Sequence, residues 1–388
     1  MIHKILNNTK GDRWIWLIVI LLSMWSLLAV YSATGTLAYK KGVGTEQFLI
    51  KHLVMIIGGL ALMYFSHLLD YRYYAGISKV LMIITIPLLL YTLVSGTTMN
   101  EASRWVTIPV INQTFQTSDL AKIALITFLA RMLTRKQENI KDAKKAFLPI
   151  MGSVLIVFGL ILFANLSTAL MLFGVSILLL IIGRISIKQI FIVCLAGALL
   201  LTGVILLGVG RTATWKSRIE NFRHPEKADP DKSFQANQAK IAIASGGIFG
   251  KGPGNSTQRN FLPHPYSDFV YALIIEEYGL VGGVVLVILY LVFLWRCILI
   301  VTRSPKAFGA LLAAGLSFSL TIQAFANMAV AVGLGPVTGV PLPLVSMGGT
   351  SILFTSIAFG IILSVSRDID EQKENNERKV IVGEIPAM

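Results

Sequence analysis

The chain has 388 residues, of which 55% are hydrophobic and 14% are charged, whereas roughly 25% of residues are charged in a typical soluble domain. Its mean hydropathy is +0.71 and its formal net charge is +14. These values exclude an ordinary soluble protein. The basic residues are scattered over short loops, so they indicate a membrane protein and not a nucleic-acid-binding protein.

Apolar stretches recur along the chain at the length of about 20 residues that a membrane-spanning helix needs. The first is longer than the apolar region of a signal peptide, about 7–15 residues, so we expect a retained signal-anchor. The pattern predicts an all-α polytopic membrane protein of about ten helices, at 14–34, 49–69, 77–96, 117–133, 148–164, 168–183, 187–208, 269–302, 308–333 and 344–366.

Basic segments set the expected orientation, because Lys and Arg concentrate in short cytoplasmic loops. With ten helices and a cytoplasmic N-terminus, all four of these segments face the cytoplasm: 1–13, 131–145, 184–188 and 296–306. We therefore expect a cytoplasmic N-terminus at 1–13, a membrane domain at 14–366 and a flexible cytoplasmic tail at 367–388.

A first polar cluster, RWVTIPVINQTFQTSDLAK, occupies residues 104–122 on the outer side. Asp119 and Lys122 are three residues apart on one apolar helix, so we expect them to pair on one face. Arg104 precedes this helix, and a guanidinium binds phosphates and carboxylates through its planar fork. The cluster fits an anionic substrate, and it fits a structural ion pair between helices equally well.

The long connection between the seventh and eighth helices spans residues 209–268 and is expected to face away from the cytoplasm. It begins as a polar, basic stretch, continues as a plausible short helix and ends in a glycine-rich segment. A basic, glycine-containing pocket at a membrane surface suits a lipid phosphate or pyrophosphate. A solvated loop that touches lipid phosphates nonspecifically is the alternative. The basic residues are Arg211, Lys216, Arg218, Arg223, Lys227, Lys232, Lys240, Lys251 and Arg259.

Asp268 stands where the eighth helix meets water, in LPHPYSDFVYALIIEEYG at residues 262–279. A carboxylate at such a boundary has a partly low dielectric around it, which suits a general base. The alternative is a helix N-cap, a position that Asp fills well. Glu276 and Glu277 lie on different faces of the same helix, so at most one supports Asp268 directly.

A third polar cluster, NMAVAVGLGPVTGVPLPLVSMGGTS, spans residues 327–351 and is rich in Gly and Pro. Irregular backbone at membrane depth is tolerated where protein buries it or where it lines a cavity. Tight packing of helices through small residues is the alternative explanation.

In combination, these segments resemble the SEDS family, the shape, elongation, division and sporulation proteins. The resemblance is carried by SDFVYALIIEEYG, by SGGIFGKGPGNS with LPHPYSD, by FQTSDLAK and by the block at 327–351. It covers essentially the whole chain in the family's order. It implies a peptidoglycan glycosyltransferase that polymerises lipid II on the outer face of the bacterial inner membrane.

The resemblance also implies roles for individual residues. Asp268 would be the catalytic base that takes a proton from the acceptor sugar hydroxyl, while undecaprenyl pyrophosphate leaves the donor with inversion. A divalent cation, Mg²⁺ or Mn²⁺, at Asp268 is an open alternative, although no metal-ligand cluster is evident. The implied substrate-binding residues are Arg104, Lys122, Arg218, Gln238, Lys251 and Ser267, and the supporting residues are Asp119, Glu276, Glu277, Asn327, Thr338 and Ser346.

The chain departs from the family pattern at several positions. Thr117 replaces the usual Pro and Asp119 the usual Glu, although the shorter Asp119 still reaches Lys122. Asn165 stands where Asp is common, so no acid role is carried over to that position. Tyr266 stands where the family often has His, and His264 lies two residues earlier.

Within the family, one branch serves division and another serves elongation. The short N-terminus, the compact length and the segment YSATGTLAYK favour the division branch, whereas PVTGVPLPLVS favours the elongation branch. The resemblance implies a class B penicillin-binding protein transpeptidase and other division membrane proteins as partners, at the division septum, and no nucleic acid. A lipid II flippase and a non-catalytic scaffold for the transpeptidase stay open as alternatives.

Overall fold

The computed structural model describes residues 10–42, 44–99, 102–108, 113–208, 212–224, 230–262 and 265–382. Helices dominate these ranges, which confirms the predicted all-α class. In chain order the α-helices are α1 (Arg13–Ala33), α2 (Gly35–Lys41), α3 (Thr45–Leu68), α4 (Tyr71–Ser95), α5 (Thr117–Arg135), α6 (Leu148–Ala164), α7 (Leu166–Ile182), α8 (Ile187–Leu207), α9 (Thr212–Arg223), α10 (Pro230–Gly246), α11 (Val270–Arg303), α12 (Ala307–Ala331) and α13 (Ser351–Val382).

Each of the ten predicted membrane segments coincides with one of these helices. Eight helices in the described residues are long and apolar enough to cross a membrane: α1, α3, α4, α6 with the π-helical turn before it, α8, α11, α12 and α13. The other two are α7, which is apolar but has only 17 residues, and α5, which carries four charged side chains. The protein is therefore an integral membrane protein.

Helices α12 and α13 lie at the centre of the bundle, since 72% and 67% of their most apolar windows are buried. Helix α8 lies at its periphery, with 6% of its window buried. The surface of α8 is accordingly apolar nearly all round, as expected of a helix that faces lipid.

The last helix differs from its prediction at both ends. It begins at Ser351 and not at 344, because residues 332–350 form an irregular stretch that we call the Gly/Pro segment. Pro341 and Pro343 lie just before residue 344, where the helix was predicted to begin, and Leu344 itself has a left-handed φ of 60°, which a helix does not allow. Gly349 adopts a left-handed φ of 56° just before the helix starts.

The C-terminal segment 367–388 was predicted to be a flexible tail, yet it continues α13 as a helix to Val382. Its polar side chains find partners on other elements. Asp368 accepts a hydrogen bond from Arg72 at 2.9 Å, and Glu374 pairs with Lys10 at 3.1 Å. These contacts explain why the polar extension of α13, residues 366–377, stays helical beyond the apolar part of the helix.

Three short strands between α4 and α5 were not predicted. They are β1 (Thr97–Met99), β2 (Ala102–Ile108) and β3 (Gln113–Gln116), and they form an antiparallel sheet in the order β1-β2-β3. The polar cluster at 104–122 is therefore part strand and part helix, and Arg104 lies on β2.

The long connection between α8 and α11 contains the two helices α9 and α10, of which α10 includes the short helix expected from the sequence. Within the connection, α10 leads into a glycine-rich stretch at residues 246–254, which we call the glycine turn. This turn packs against α11 at the place where that helix is broken.

The break in α11 lies at Gly279, whose φ of 70° and ψ of −173° are not helical. A break leaves backbone carbonyls without helical partners, which is costly in an apolar environment. Here the carbonyls of Glu276 and Glu277 accept hydrogen bonds from the N–H groups of Lys251 and Gly252, both at 2.9 Å.

The backbone N–H groups after the break are paired with the glycine turn in the same way. The N–H of Leu280 donates to the carbonyl of Gly247 at 2.9 Å, and the N–H of Val281 donates to the carbonyl of Ile248 at 3.2 Å. The glycine turn and the broken helix thus exchange four backbone hydrogen bonds. This exchange fixes the connection against the helix that begins next to Asp268.

Side chains are excluded from this contact. A Cβ atom at Gly250 would lie 2.2 Å from the carbonyl oxygen of Glu277, and one at Gly279 would lie 2.1 Å from that of Ile248. Both glycines also have a left-handed φ. Glycine is required here by close backbone approach and by conformation.

We expect Gly279→Ala to lower the free energy of unfolding by roughly 2–4 kcal/mol, because the methyl group would strain the backbone and force the glycine turn away. Thermal unfolding of the purified protein in detergent measures this effect. The matched control is Gly174→Ala on α7, where an added Cβ meets no atom within 4 Å. A melting temperature for Gly279→Ala as high as that of the control would contradict the interlocked arrangement.

Candidate functional site

Asp268 lies half-buried just before α11, which begins at Val270. Its Oδ1 atom accepts a hydrogen bond of 2.9 Å from the hydroxyl of Ser267. The N-cap position of the helix is Phe269, whose side chain makes no capping hydrogen bond. Asp268 stands one residue before that position, and its Oδ2 atom lies near Gly339 of the Gly/Pro segment.

The backbone of Asp268 is held by the Gly/Pro segment through Asn327 near the end of α12. The amide nitrogen of Asn327 donates to the carbonyl of Asp268 at 2.9 Å and to that of Val340 at 2.8 Å. One buried side chain therefore joins the candidate base to the irregular segment.

A second set of bonds acts on the two residues before Asp268. The hydroxyl of Ser346 donates to the carbonyl of Ser267 at 2.6 Å, and the N–H of Met347 donates to the carbonyl of Tyr266 at 2.8 Å. The supporting positions predicted at Asn327 and Ser346 thus both contact the backbone around Asp268.

The carboxylate of Asp268 also lies against the Gly/Pro segment. A Cβ atom at Gly339, which has a left-handed φ of 65°, would stand 3.6 Å from Oδ2 of Asp268. Burial raises the pKa of Tyr266, and the nearby charge of Asp268 raises it further. The phenol of Tyr266 therefore stays protonated beside the carboxylate at neutral pH.

The predicted pair of Asp119 and Lys122 is confirmed, with Oδ1 and Nζ 2.8 Å apart. Lys122 also donates to Oε1 of Gln323 on α12 at 2.8 Å, and Nε2 of Gln323 donates to the carbonyl of Pro341 at 2.9 Å. The ion pair thus joins α5 to α12 and reaches the same Gly/Pro segment that holds Asp268. Its structural role and a role in substrate binding are both compatible with this geometry.

A cavity of about 310 Å³ flanks the Asp268 region, with mostly apolar walls. Thr338 lies next to Gly339 in sequence, and Ala326 lies next to Asn327, which places the cavity beside the bonds described above. Its lining residues come from the junction of α6 and α7, from α9 and from the Gly/Pro segment, and they include Asn165, Leu166, Met171, Trp215, Arg218, Ala326 and Thr338.

Lys251 was predicted to bind substrate, and the structure places it in an ion pair with Glu276 at 2.7 Å. The side chain of Glu276 is fully buried, whereas that of Lys251 is 30% exposed. Ser256 and Thr257 donate to the same carboxylate through their hydroxyls at 2.5 and 2.9 Å, and the N–H of Thr257 donates at 3.1 Å. A phosphate would have to compete with this carboxylate for the ammonium group.

Glu277 fastens a different part of the molecule. Its carboxylate accepts a hydrogen bond from the hydroxyl of Ser32 at the end of α1 and from backbone N–H groups at Gly254 and Ser256. Arg259 donates to the carbonyl of Ser32 at 3.2 Å. Both glutamates therefore hold the glycine turn. Glu276 binds it together with the residues that follow it, and Glu277 joins it to α1. They follow Asp268 by about 12 Å along the helix.

The other predicted binding residues are less closely tied to Asp268. Arg104 lies on β2, and Gln238 is half-buried on α10, where no hydrogen bond of its side chain is found among the described residues. Their roles stay predictions. His264 lies outside the described residues.

Gln323 was missed, although an amide one helical turn before Asn327 in an apolar helix was a usable signal. Three or more His, Cys, Asp or Glu side chains do not cluster as a metal site anywhere in the described ranges. Among the described residues, Asp268 is therefore not part of a cluster that could hold a metal ion.

Replacing Glu276 with Gln should lower the free energy of unfolding by roughly 2–4 kcal/mol, because every described partner of this carboxylate is a donor and an amide would present two N–H groups to them. The matched control is Glu371→Gln, whose side chain is 44% exposed. Thermal unfolding and the rate of tryptic cleavage after Lys251 and Arg259 measure the effect. Wild-type behaviour of Glu276→Gln would show that the turn does not depend on this acceptor.

Comparison with known proteins gives consistent matches along nearly the whole chain. The model of the cell cycle protein family that comprises FtsW, RodA and SpoVE matches residues 12–371. Stage V sporulation protein E of Bacillus subtilis is 33% identical over 365 residues, which cover 93% of this chain and 98% of that protein. A probable peptidoglycan glycosyltransferase FtsW of Trichlorobacter lovleyi is 32% identical over 370 residues, covering 94% and 96%.

Solved structures show the same fold. A chain from a study of the structural coordination of polymerization and crosslinking by a peptidoglycan synthase complex superimposes with a TM-score of 0.76 at 26% identity, covering 92% of this chain and 98% of that one. The rod shape determining protein RodA of Thermus thermophilus gives a TM-score of 0.68 at 25% identity, covering 92% and 97%.

Proposed function

This chain belongs to the FtsW, RodA and SpoVE family of cell cycle proteins, and from that membership we propose that it is a peptidoglycan glycosyltransferase that polymerises lipid II for septal wall synthesis. Several relatives carry the name of probable peptidoglycan glycosyltransferase FtsW, which supports both the reaction and the division branch. The observation that carries the proposal is Asp268, a carboxylate whose backbone is fixed by two sets of hydrogen bonds beside a cavity.

Asp268 is the general base in this reaction. A sugar hydroxyl is a weak nucleophile, so its proton must be removed as the new bond forms. The acceptor oxygen bonds to the anomeric carbon of the donor, the bond from that carbon to the pyrophosphate oxygen breaks, and the carboxylate holds the proton. Fixing the backbone at Asn327 and Ser346 keeps the carboxylate in place during this step.

Arg218 is the cation best placed for the leaving pyrophosphate. It lines the apolar cavity beside the Asp268 region, where a lipid-linked pyrophosphate can place both its charge and its hydrocarbon. A guanidinium stabilises the negative charge that develops on the leaving group. Lys122 is the second candidate, through the network that reaches Pro341.

We propose that both termini are cytoplasmic and that Asp268 faces the periplasm of the inner membrane. The contact of Lys10 with Glu374 supports placing both termini on one side. Helix α11 runs from the Asp268 end to Arg296, which binds Asp12 next to the N-terminus. The 27 residues from Val270 to Arg296, rising about 1.5 Å per step, span roughly 39 Å, enough to cross the apolar core.

A class B penicillin-binding protein is the proposed partner, together with other division membrane proteins. The structural relative comes from a study of polymerization coordinated with crosslinking in one peptidoglycan synthase complex, which supports a transpeptidase partner. The similarity to RodA favours side-wall elongation as the second candidate. Depletion in the native host separates the two, since filaments indicate division and rounded cells indicate elongation.

Asp268→Asn should reduce glycan synthesis from labelled lipid II by at least about a hundredfold, because it removes the general base while keeping the shape of the side chain. The assay uses the purified protein with its transpeptidase partner. The control is Asp368→Asn, which alters a carboxylate on the polar extension of α13 and should retain activity. Normal polymerisation by Asp268→Asn would refute the assignment and favour a flippase or a scaffold.

Arg218→Gln should raise the KM for lipid II by about tenfold and lower kcat in addition, because the lost charge acts on both bound and leaving pyrophosphate. Steady-state kinetics with lipid II measure both constants. Arg223→Gln provides the control, since Arg223 lies exposed in the last turn of the same helix. Equal kinetics of the two variants would remove Arg218 from the binding site.

A further inference from the structure

A second and larger cavity, of about 640 Å³, lies at the end of the bundle opposite to Asp268. It is enclosed by the segment before α1, by the last turns of α11 and by the polar extension of α13. Since α1 and α11 are membrane spans that end here, the cavity lies at the boundary between the apolar core and water.

Two ion pairs build the wall of this cavity. The guanidinium of Arg296 binds Oδ2 of Asp12 at 2.5 and 2.8 Å, and Oδ1 of Asp12 accepts hydrogen bonds from the first turn of α1. Lys10 binds Glu374 at 3.1 Å. The side chain of Asp12 is only 4% exposed, so this part of the wall is fixed.

A third, looser ion pair on the same lining joins Lys373 to Glu377 at 3.9 Å. Two arginines and one carboxylate are left over from these three pairs. Arg13 and Arg303 line the cavity and are exposed, and neither forms an ion pair within the described residues. Asp370 lines it too, and it has no ion pair there either; its described hydrogen bond comes from the backbone N–H of Gly11. The cavity therefore offers cations for a phosphate and a carboxylate for an amine.

Apolar groups complete the lining. Leu299, Ile300 and Ile369 contribute hydrocarbon, and Trp14 is 53% exposed at the same level. Tryptophan favours the membrane–water interface, where its ring spans polar and apolar surroundings. A ligand that carries a charged head and a hydrocarbon body matches this lining.

We propose that this cavity binds the head group of a phosphatidylethanolamine lipid from the cytoplasmic leaflet. Arg13 and Arg303 bind the phosphate, Asp370 binds the ammonium, and the glycerol end of the acyl chains packs on Leu299 and Ile369. Basic pockets between helices on this side are typical lipid sites. The nearby carboxylates favour a zwitterionic head over a purely anionic one, because they repel added negative charge.

Native mass spectrometry of the full-length protein in detergent, titrated with phosphatidylethanolamine, tests this site. Arg13→Gln combined with Arg303→Gln should weaken binding by about tenfold or more, because two charge-assisted hydrogen bonds to phosphate are lost. The matched control is Arg135→Gln with Arg184→Gln, two exposed arginines on other loops at the same end. Equal affinity of the two double variants would overturn the proposal.

The choice of head group is tested with Asp370→Asn. The wild type should bind phosphatidylethanolamine more tightly than phosphatidylglycerol, and Asp370→Asn should remove that preference while still binding both lipids. A preference that survives in Asp370→Asn, or a wild type that prefers phosphatidylglycerol, would overturn the assignment of the ammonium to Asp370.

Inorganic phosphate is the alternative ligand for the same arginines. Millimolar inorganic phosphate should not displace the lipid, because it cannot use the apolar lining. Displacement by phosphate alone, as effective as that by added lipid, would show a phosphate site and not a lipid site. Folding of each variant is checked by thermal unfolding, and glycan synthesis, which takes place at the opposite end, should stay unchanged.

Discussion

The exchange of backbone hydrogen bonds between the broken helix α11 and the glycine turn is the contact on which the Asp268 end of the molecule depends. Without it, four backbone groups next to Gly279 would face apolar surroundings without partners. The buried carboxylate of Glu276 accepts hydrogen bonds from the hydroxyls of Ser256 and Thr257 next to the same break. The long connection is thereby held rigidly above the residues that lead into Asp268.

A second irregular stretch, the Gly/Pro segment, meets Asp268 from the other side. Polar side chains of otherwise apolar helices donate hydrogen bonds to its carbonyls, as Gln323 and Asn327 on α12 do. The two irregular regions differ in the partners of their backbone groups. The glycine turn pairs with the backbone of α11, whereas carbonyls of the Gly/Pro segment accept hydrogen bonds from amide side chains. Their common result is that the backbone on both sides of Asp268 is fixed.

The helices were predictable because hydropathy reports the membrane directly, and the pairing of Asp119 with Lys122 followed from helical spacing. The strands between α4 and α5 pair with their neighbours in the chain, but two of them have only three and four residues, too short for a clear alternation of apolar and polar residues. The pairing of Lys251 with Glu276 joins residues far apart in sequence, so no local pattern could show it. The same holds for the polar extension of α13, whose partners Arg72 and Lys10 lie 296 and 364 residues away in the chain.

Helix α1 is fastened to α11 at both of its ends, by Asp12 to Arg296 and by Ser32 to Glu277. These partners are separated by 284 and 245 residues of chain. At ribosomal speeds of about 5–20 residues per second, α1 leaves the ribosome roughly 10–60 s before its partners on α11. During biogenesis α1 is thus without its partners on α11 for this time. Until they are synthesised, its contacts are with lipid or with an insertase.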